Sequence, residues 1–400
     1  MSSVMFPLRP SYIGLSAVLA CGLALSAVGA CTASAAEPVV VHEGFYPLAG
    51  PVLSGDTVVW AQGASGDKTR VRAAVPGAQA STLLTLPFVA FSSDGGFVDL
   101  AGSPEALGVR TTTTKFKKRR VHGDDPVFVP FRRPTAKRQR IAVPTKSTDT
   151  LLGATPGSTP APLAAFPYRL PAPKKCSAPL TLDGGFSAAG ADLLWSESIT
   201  PCVAGKLRWG QSSGRIVSQP ATGGPVTVLS LQAPGASQVT EVHGEGDFVA
   251  SELNRVDSPS ASIEVRRRST GELISQVALD EYVPFDVQAD GTLAYVATDF
   301  AHNDFSYTPT VLLPGQSVGQ PLPFEATPES IIRISGGRVA FSVGKRHASL
   351  ILTDLAGIGS RIGSLGDPVF FTTVFDLSPT RITWLQVKRK GPAPIKAQDL

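Results

Sequence analysis

The apolar residues of this chain fall in short runs separated by turn residues, and seven of these runs share one pattern. An apolar strand leads into a tight turn, usually with Gly, and then into a second apolar strand that often carries an aromatic residue near its middle. The units read Gly55-Asp56-Thr57-Val58-Val59-Trp60, Gly95-Gly96-Phe97-Val98-Asp99-Leu100 and Gly190-Ala191-Asp192-Leu193-Leu194-Trp195. Next come Gly246-Asp247-Phe248-Val249-Ala250, Gly291-Thr292-Leu293-Ala294-Tyr295 and Gly337-Arg338-Val339-Ala340-Phe341. Pro379-Thr380-Arg381-Ile382-Thr383-Trp384 closes the series. From Gly55 through Gly96, Gly190, Gly246, Gly291 and Gly337 to Thr380, the spacings are 41, 94, 56, 45, 46 and 43 residues. A period of this size predicts four antiparallel strands per repeat, the blade of a β-propeller. Period-2 alternation and β-branched residues predict the strands, and Gly supplies the positive φ that a tight hairpin needs.

The fourth blade is predicted at 238–242, 248–253, 262–267 and 273–279, the fifth at 284–289, 293–298, 308–313 and 320–324. The last blade, at 373–377, 382–387 and 395–399, stops one strand short. Pro38-Val39-Val40-Val41-His42 is a spare strand ahead of the first blade, and pairing it there closes the ring and removes two open edges. The expected fold is all-β, a β-propeller of seven blades. Six remain open if the second unit is not a blade, and eight if the doubled gap hides one.

Composition agrees. Gly and Pro number 39 and 34 of 400 residues, too many for long helices, while 42% hydrophobic residues suffice for a large core. Residues 1–35 hold one cation, Arg9, no acid, an apolar stretch and the small-x-small Ala33-Ser34-Ala35, and predict a signal peptide cleaved before Ala36. The mature chain is therefore expected to be secreted or extracytoplasmic, with a lipid anchor on Cys31 as the weaker variant. Export leaves Cys176 and Cys202 as an even pair in an oxidising compartment, a candidate disulfide. The propeller is expected over 36–116 and 177–400, with an insertion at 117–176.

The strand, Gly-turn and aromatic-strand grammar resembles the TolB-like and WD40-like propellers of exported bacterial proteins. It covers most of residues 38–400, although the Gly-His and Trp-Asp pairs of true WD40 repeats are absent. The resemblance implies binding to proteins or surface polymers and carries over no catalytic residue.

Charge is concentrated in the insertion. Lys115, Lys117, Lys118, Arg119, Arg120, Arg132, Arg133, Lys137, Arg138 and Arg140 face only Asp124 and Asp125, giving +8, while the rest of the mature chain sums to −5. Such a stretch is either a polyanion contact or a solvated loop. It is expected between the third and outer strands of the second blade, followed by an extended linker over 144–173.

Among motifs that resemble chemistry, Gly210-Gln211-Ser212-Ser213-Gly214 and Gly315-Gln316-Ser317-Val318-Gly319 match G-x-S-x-G. Neither is followed by the helix that a nucleophile elbow requires, and both are taken as one hairpin in two blades. Asp299, His302 and Asp304 form a D-x-x-H-x-D cluster expected in a loop. Glu197, Asp257, Lys345, Arg346 and His347 are expected on the same face, so Asp299, His302, Asp304, Arg346 and His347 are the candidate ligand site. His243, Glu245 and Asp247 are read as turn formers. No catalytic residue, metal set or cofactor motif stands out.

The expected function is a binding platform for a protein or cell-envelope polymer, without catalysis. The alternative is an extracytoplasmic enzyme, a polysaccharide lyase or hydrolase using carboxylates and His. A second alternative is polyanion or anionic-surface binding through the basic insertion, with nucleic acid the least favoured partner.

Overall fold

A computed structural model describes residues 36–400 apart from 45–46, 65–67, 88–95, 122–138, 170–179, 205, 209–210, 232–237, 255–260, 280, 302–303, 328–329, 345–347, 367–373 and 389–392. The expected signal peptide and Cys31 lie outside the described residues.

The fold is an all-β propeller of seven four-stranded antiparallel sheets. The innermost strands, in blade order, are Pro47–Ser54, Phe97–Gly102, Leu180–Ala189, Gln238–Glu245, Phe285–Val287, Ile332–Ser335 and Phe375–Leu377. Each touches the inner strand of the next blade, and the seventh touches the first, so the ring closes. The seventh sheet takes its outermost strand from Val39–His42, which pairs Val39 with Ala397, Val40 with Lys396 and His42 with Ile395. The predicted closure is therefore the observed one.

Aromatic residues on the second strands set the register. Trp60, Trp195, Phe341 and Trp384 are essentially fully buried, and Tyr295 nearly so. Trp195 pairs with Phe186, Tyr295 with Phe285, Phe341 with Ile332 and Trp384 with Phe375. Because side chains alternate along a strand, locking these pairs also decides where the next inner-strand residue goes. Truncating one such buried ring costs about 3–5 kcal/mol.

Blades approach so closely that some positions admit no side chain. At Gly102 a Cβ would lie 1.9 Å from the Leu53 carbonyl oxygen of the first blade. Gly102→Ala is expected to destabilise the protein by about 1–3 kcal/mol, because the clash is with backbone that cannot rotate away. A urea unfolding midpoint unchanged from wild type would contradict this. Turn glycines behave as expected, with Gly55, Gly190 and Gly246 at φ of 57°, 55° and 57°.

Three expectations are corrected. First, Phe97–Gly102 is the inner strand of the second blade, and the true turn is Ser103-Pro104-Glu105-Ala106, before the strand Leu107–Val121. The Gly-Gly preceding Phe97 imitates the turn of the other units. Second, the basic segment joins the second and third strands of that blade, not the third and outer. Leu107–Val121 pairs with Gln139–Ala154, which pairs with Ala161–Arg169. The stretch expected as a linker is therefore largely strand, since Pro at 162 and 167 sits in an outer edge strand, which spares a Pro its missing N–H. Third, the two G-x-S-x-G strings occupy different connections, one ahead of the third strand Ser213–Pro220 and one ahead of the outer strand Gln320–Pro321. Cys202 opens a short hairpin with Lys206–Leu207 and is disulfide-bonded. Cys176 lies outside the described residues.

Candidate functional site

The register of the inner strands produces one ring of seven positions: Val52, Asp99, Ser187, His243, Asp286, Arg333 and Asp376. All seven line a cavity of about 800 Å³ at the propeller axis. Apolar neighbours hold each charged member in place, as in Val98-Asp99-Leu100, Phe285-Asp286-Val287, Ile332-Arg333-Ile334 and Phe375-Asp376-Leu377. The flanking residues are buried or nearly so while the middle one is half-buried. Glu241 and Glu245, two residues either side of His243 on the same strand, also line the cavity. Tyr282, 59% exposed, stands at its edge.

Some of these carboxylates hold the ring together. Asp376 accepts the Leu53 N–H of the first blade at 2.7 Å, and Asp286 accepts the Ile334 N–H of the sixth at 3.0 Å. Gln288 similarly accepts the Gly337 N–H at 3.0 Å. The first two bonds join the inner strand of one blade to that of the next, and the third ties the end of one inner strand to the neighbouring hairpin turn.

Others face the cavity with their chemistry free. His243 is held between two acids, with Nε2 2.7 Å from Glu241 Oε1 and Nδ1 3.5 Å from Asp286 Oδ1. The Tyr282 hydroxyl donates to the other oxygen of Glu241. Glu245 receives one hydrogen bond, from the Ser335 hydroxyl of the sixth blade at 2.8 Å. Arg333 approaches Asp376 at 3.9 Å. Acids thus outnumber the arginine on the wall.

The acids differ in proton affinity. Burial pushes Glu245 up to about 7, against the Ser335 bond and with help from Asp286, Asp376 and Asp290. Burial also raises Asp376 to about 6, against Arg333, and raises Asp99. For Glu241 burial works in the same direction, but the bond and charge of His243, the Tyr282 hydroxyl and Arg333 together hold it below the ordinary carboxylate range. Glu252, fully buried beside Glu241 in the adjoining strand, is pushed to about 7 by burial, against its bond from Thr240. One wall therefore carries an acid that keeps its proton near neutrality and another that stays ionised.

This has a consequence for stability. Glu245 and Glu252 bind protons more tightly folded than unfolded, where the ordinary value is 4.5. Their contribution is fully present below about 4.5 and is lost as pH rises through about 7. Melting temperature is expected to fall between pH 5 and pH 8, by on the order of 1–3 kcal/mol of stability per group. A Glu245→Gln/Glu252→Gln double variant should flatten that slope; an unchanged slope would refute the assignment. His42, lowered by burial and by Arg72, acts in the opposite sense only below its ordinary 6.5.

Of the residues singled out from sequence, those that the structure describes fall elsewhere. The strands Leu293–Ala301 and Asp304–Leu312 run on until Ala301 pairs with Asp304, so Asp299 and Asp304 belong to a long hairpin and not to a loop. Asp299 is exposed opposite Ser306 and does not line the cavity. His302, Arg346 and His347 lie outside the described residues, as do Asp257 and Lys345. Glu197 is buried in a strand, accepting from Trp195 Nε1 at 2.7 Å and Arg215 Nε at 2.6 Å. His243 and Glu245, taken for turn formers, are inner-strand wall residues; only Asp247 is in the turn, accepting from Ser269. The repeated apolar-Asp-apolar triplet was the signal available for the wall. Among the described residues no three His, Cys, Asp or Glu side chains converge as metal ligands.

Fold and wall together define a seven-bladed propeller with an acidic axial cavity. No protein-family model matches the chain, and no curated protein matches it. Among solved structures, an oligogalacturonate lyase in complex with manganese is 12% identical, with a TM-score of 0.50, over 91% of this chain and 98% of that one. A puromycin-hydrolyzing peptidase of Mycobacterium tuberculosis is 12% identical, with a TM-score of 0.46, over 90% of this chain and 54% of that one. TolB from Acinetobacter baumannii is 12% identical, with a TM-score of 0.38, over 80% and 61%. The chain thus spans about half the length of the peptidase it matches. Such likeness shows the fold. Several of the structures found are enzymes, which goes against the expectation of a purely binding platform.

Proposed function

We propose that this chain is an extracytoplasmic enzyme that cleaves a glycan at the axial cavity by general acid–base catalysis. The observation that carries the reading is the division of proton affinity along one strand, with Glu245 raised and Glu241 held ionised either side of His243. Two acids pushed apart by their surroundings supply a proton donor and a proton acceptor at the same pH. Glu245 gives its proton to the departing sugar oxygen. Glu241, which stays ionised, takes up the proton lost by the attacking water in hydrolysis, or by the sugar carbon in elimination, and His243, between Glu241 and Asp286, holds it in position. Arg333 and Tyr282 orient the substrate's polar groups. The excess of acids over Arg333 disfavours a densely anionic chain in the cavity, so neutral or amine-bearing glycans fit best. The manganese of the similar lyase finds no matching ligand set among the described residues, and no step is assigned to a metal.

The test is incubation of residues 36–400 with panels of neutral, amine-bearing and uronate oligosaccharides. New reducing ends without an ultraviolet-absorbing product indicate hydrolysis; an unsaturated, absorbing sugar indicates elimination. Cleavage of none of the panel, or cleavage unaffected by Glu245→Gln, would overturn the proposal.

A further inference from the structure

The ring of inner-strand positions around the axis contains two kinds of polar member. In the third, fifth and seventh blades, Ser187, Asp286 and Asp376 each accept the N–H one residue past the ring position of the next blade, from Gly244, Ile334 and Leu53. These three tie blade to blade. Asp99, His243 and Arg333, in the blades between, make no such tie among the described residues and line the cavity. His243 contacts Glu241 and Asp286, and Arg333 approaches Asp376. Asp99 differs from both. Its Oδ1 accepts the N–H of the adjoining Leu100 at 2.9 Å, and among the described residues its Oδ2 accepts no hydrogen bond.

The place of Asp99 in the ring accounts for this. Asp286 stands between His243 and Arg333, and Asp376 stands beside Arg333. The ring neighbours of Asp99 are Val52 and Ser187, and neither carries a charge. Burial raises its carboxyl and the charge of Glu241 adds to that, against Arg110 opposite in the ladder, the Leu100 bond and Arg333. An acid in such surroundings is stabilised in its ionised form by a cation that arrives with the ligand. A divalent metal ion is poorly served here, because among the described residues no three His, Cys, Asp or Glu side chains converge. An ammonium group asks for less, since one carboxylate with one or two neutral acceptors satisfies its three N–H groups.

We propose that Asp99 determines the specificity of the cavity by binding a free amine on the sugar, so that the ligand is a glycan of amino sugars without acetyl groups. The choice of a glycan rests on the function proposed above, and the choice of the amine rests on Asp99. An N-acetyl group in the same place brings bulk and no charge, and leaves the buried carboxylate without a counter-ion.

The test uses the chain carrying Glu245→Gln, so that binding is read without turnover. Calorimetric titration at pH 6 compares a glucosamine hexamer, an N-acetylglucosamine hexamer and hexalysine. The glucosamine oligomer is expected to bind at least tenfold more tightly than its acetylated counterpart. Adding Asp99→Asn should abolish that preference, whereas Asp99→Glu, which keeps the charge, should retain part of it. A merely structural role would weaken both oligomers alike, and that result overturns the proposal. So would equal binding of the two oligomers, or none, before Asp99 is changed; this comparison decides the matter even if Asp99→Asn melts early. Binding of hexalysine alone would mark a peptide site and overturn it too. Amine preference without cleavage by the wild-type chain would remove the catalytic reading and leave this assignment standing.

Discussion

Replacing Glu245 with Gln is expected to lower turnover of the glycan by about 10²–10⁴-fold, with the fold unchanged. Gln keeps the shape and can still accept the Ser335 hydroxyl, which lies 2.8 Å from Glu245 Oε1. What it loses is the dissociable proton. Wild-type turnover is expected to decline as pH rises through about 7, the value to which burial lifts this acid. A second readout separates chemistry from folding. Burying a charge costs free energy, so the neutral Gln variant should be at least as stable as wild type at pH 8. Lost turnover with retained or increased melting temperature is the signature of a proton donor. Lost turnover with lost stability would mark Glu245 as a structural group only.

The second large effect concerns closure of the ring. Removing residues 36–43 is expected to destabilise the protein by about 4 kcal/mol and to cause association. The strand Val39–His42 contributes its pairing with Ile395, Lys396 and Ala397, at about 1 kcal/mol per net hydrogen bond. His42 stacks on Trp60 with ring centroids 5.0 Å apart, and Val41 packs against the Trp60 cluster. Without this strand, Ile395–Asp399 becomes a bare edge open to another chain. Urea denaturation and light scattering measure the two consequences, and a synthetic peptide of residues 36–43 added in trans should reverse both. A truncated chain with the wild-type midpoint would show that closure adds nothing.

The ring, its blade count and its closure were legible because they rest on local rules. A Gly turn, a β-branched run and an aromatic at a fixed offset recur wherever a blade must pack between two others. Gly95-Gly96-Phe97 misled because it satisfies those rules ahead of an inner strand, whereas the true turn at Ser103–Ala106 lacks Gly. The wall was missed for a different reason. Asp286 and Asp376 sit between apolar residues in short strands, where a lone acid reads as a break in pattern, and only seven-fold arrangement brings them to a common axis. Attention went to Asp299 and Asp304, whose spacing looked chemical, yet a two-strand ladder holds them on a hairpin away from the cavity. Proton affinities were out of reach, since they depend on burial and on partners from three different blades.

The strand that latches the propeller has an implication for how the molecule is made. Val39 must wait for Ala397, its partner 358 residues later, so this early strand is fixed in place only once the last blade exists. Joining ends so far apart carries a loop-closure cost that grows only with the logarithm of length, and earlier docking of the intervening sheets on one another removes most of it. Assembly should therefore pass through an open arc of stacked sheets. During that interval the first and last sheets each leave an apolar face uncovered and the last also leaves a bare strand edge, which makes the moments after synthesis the period of greatest vulnerability.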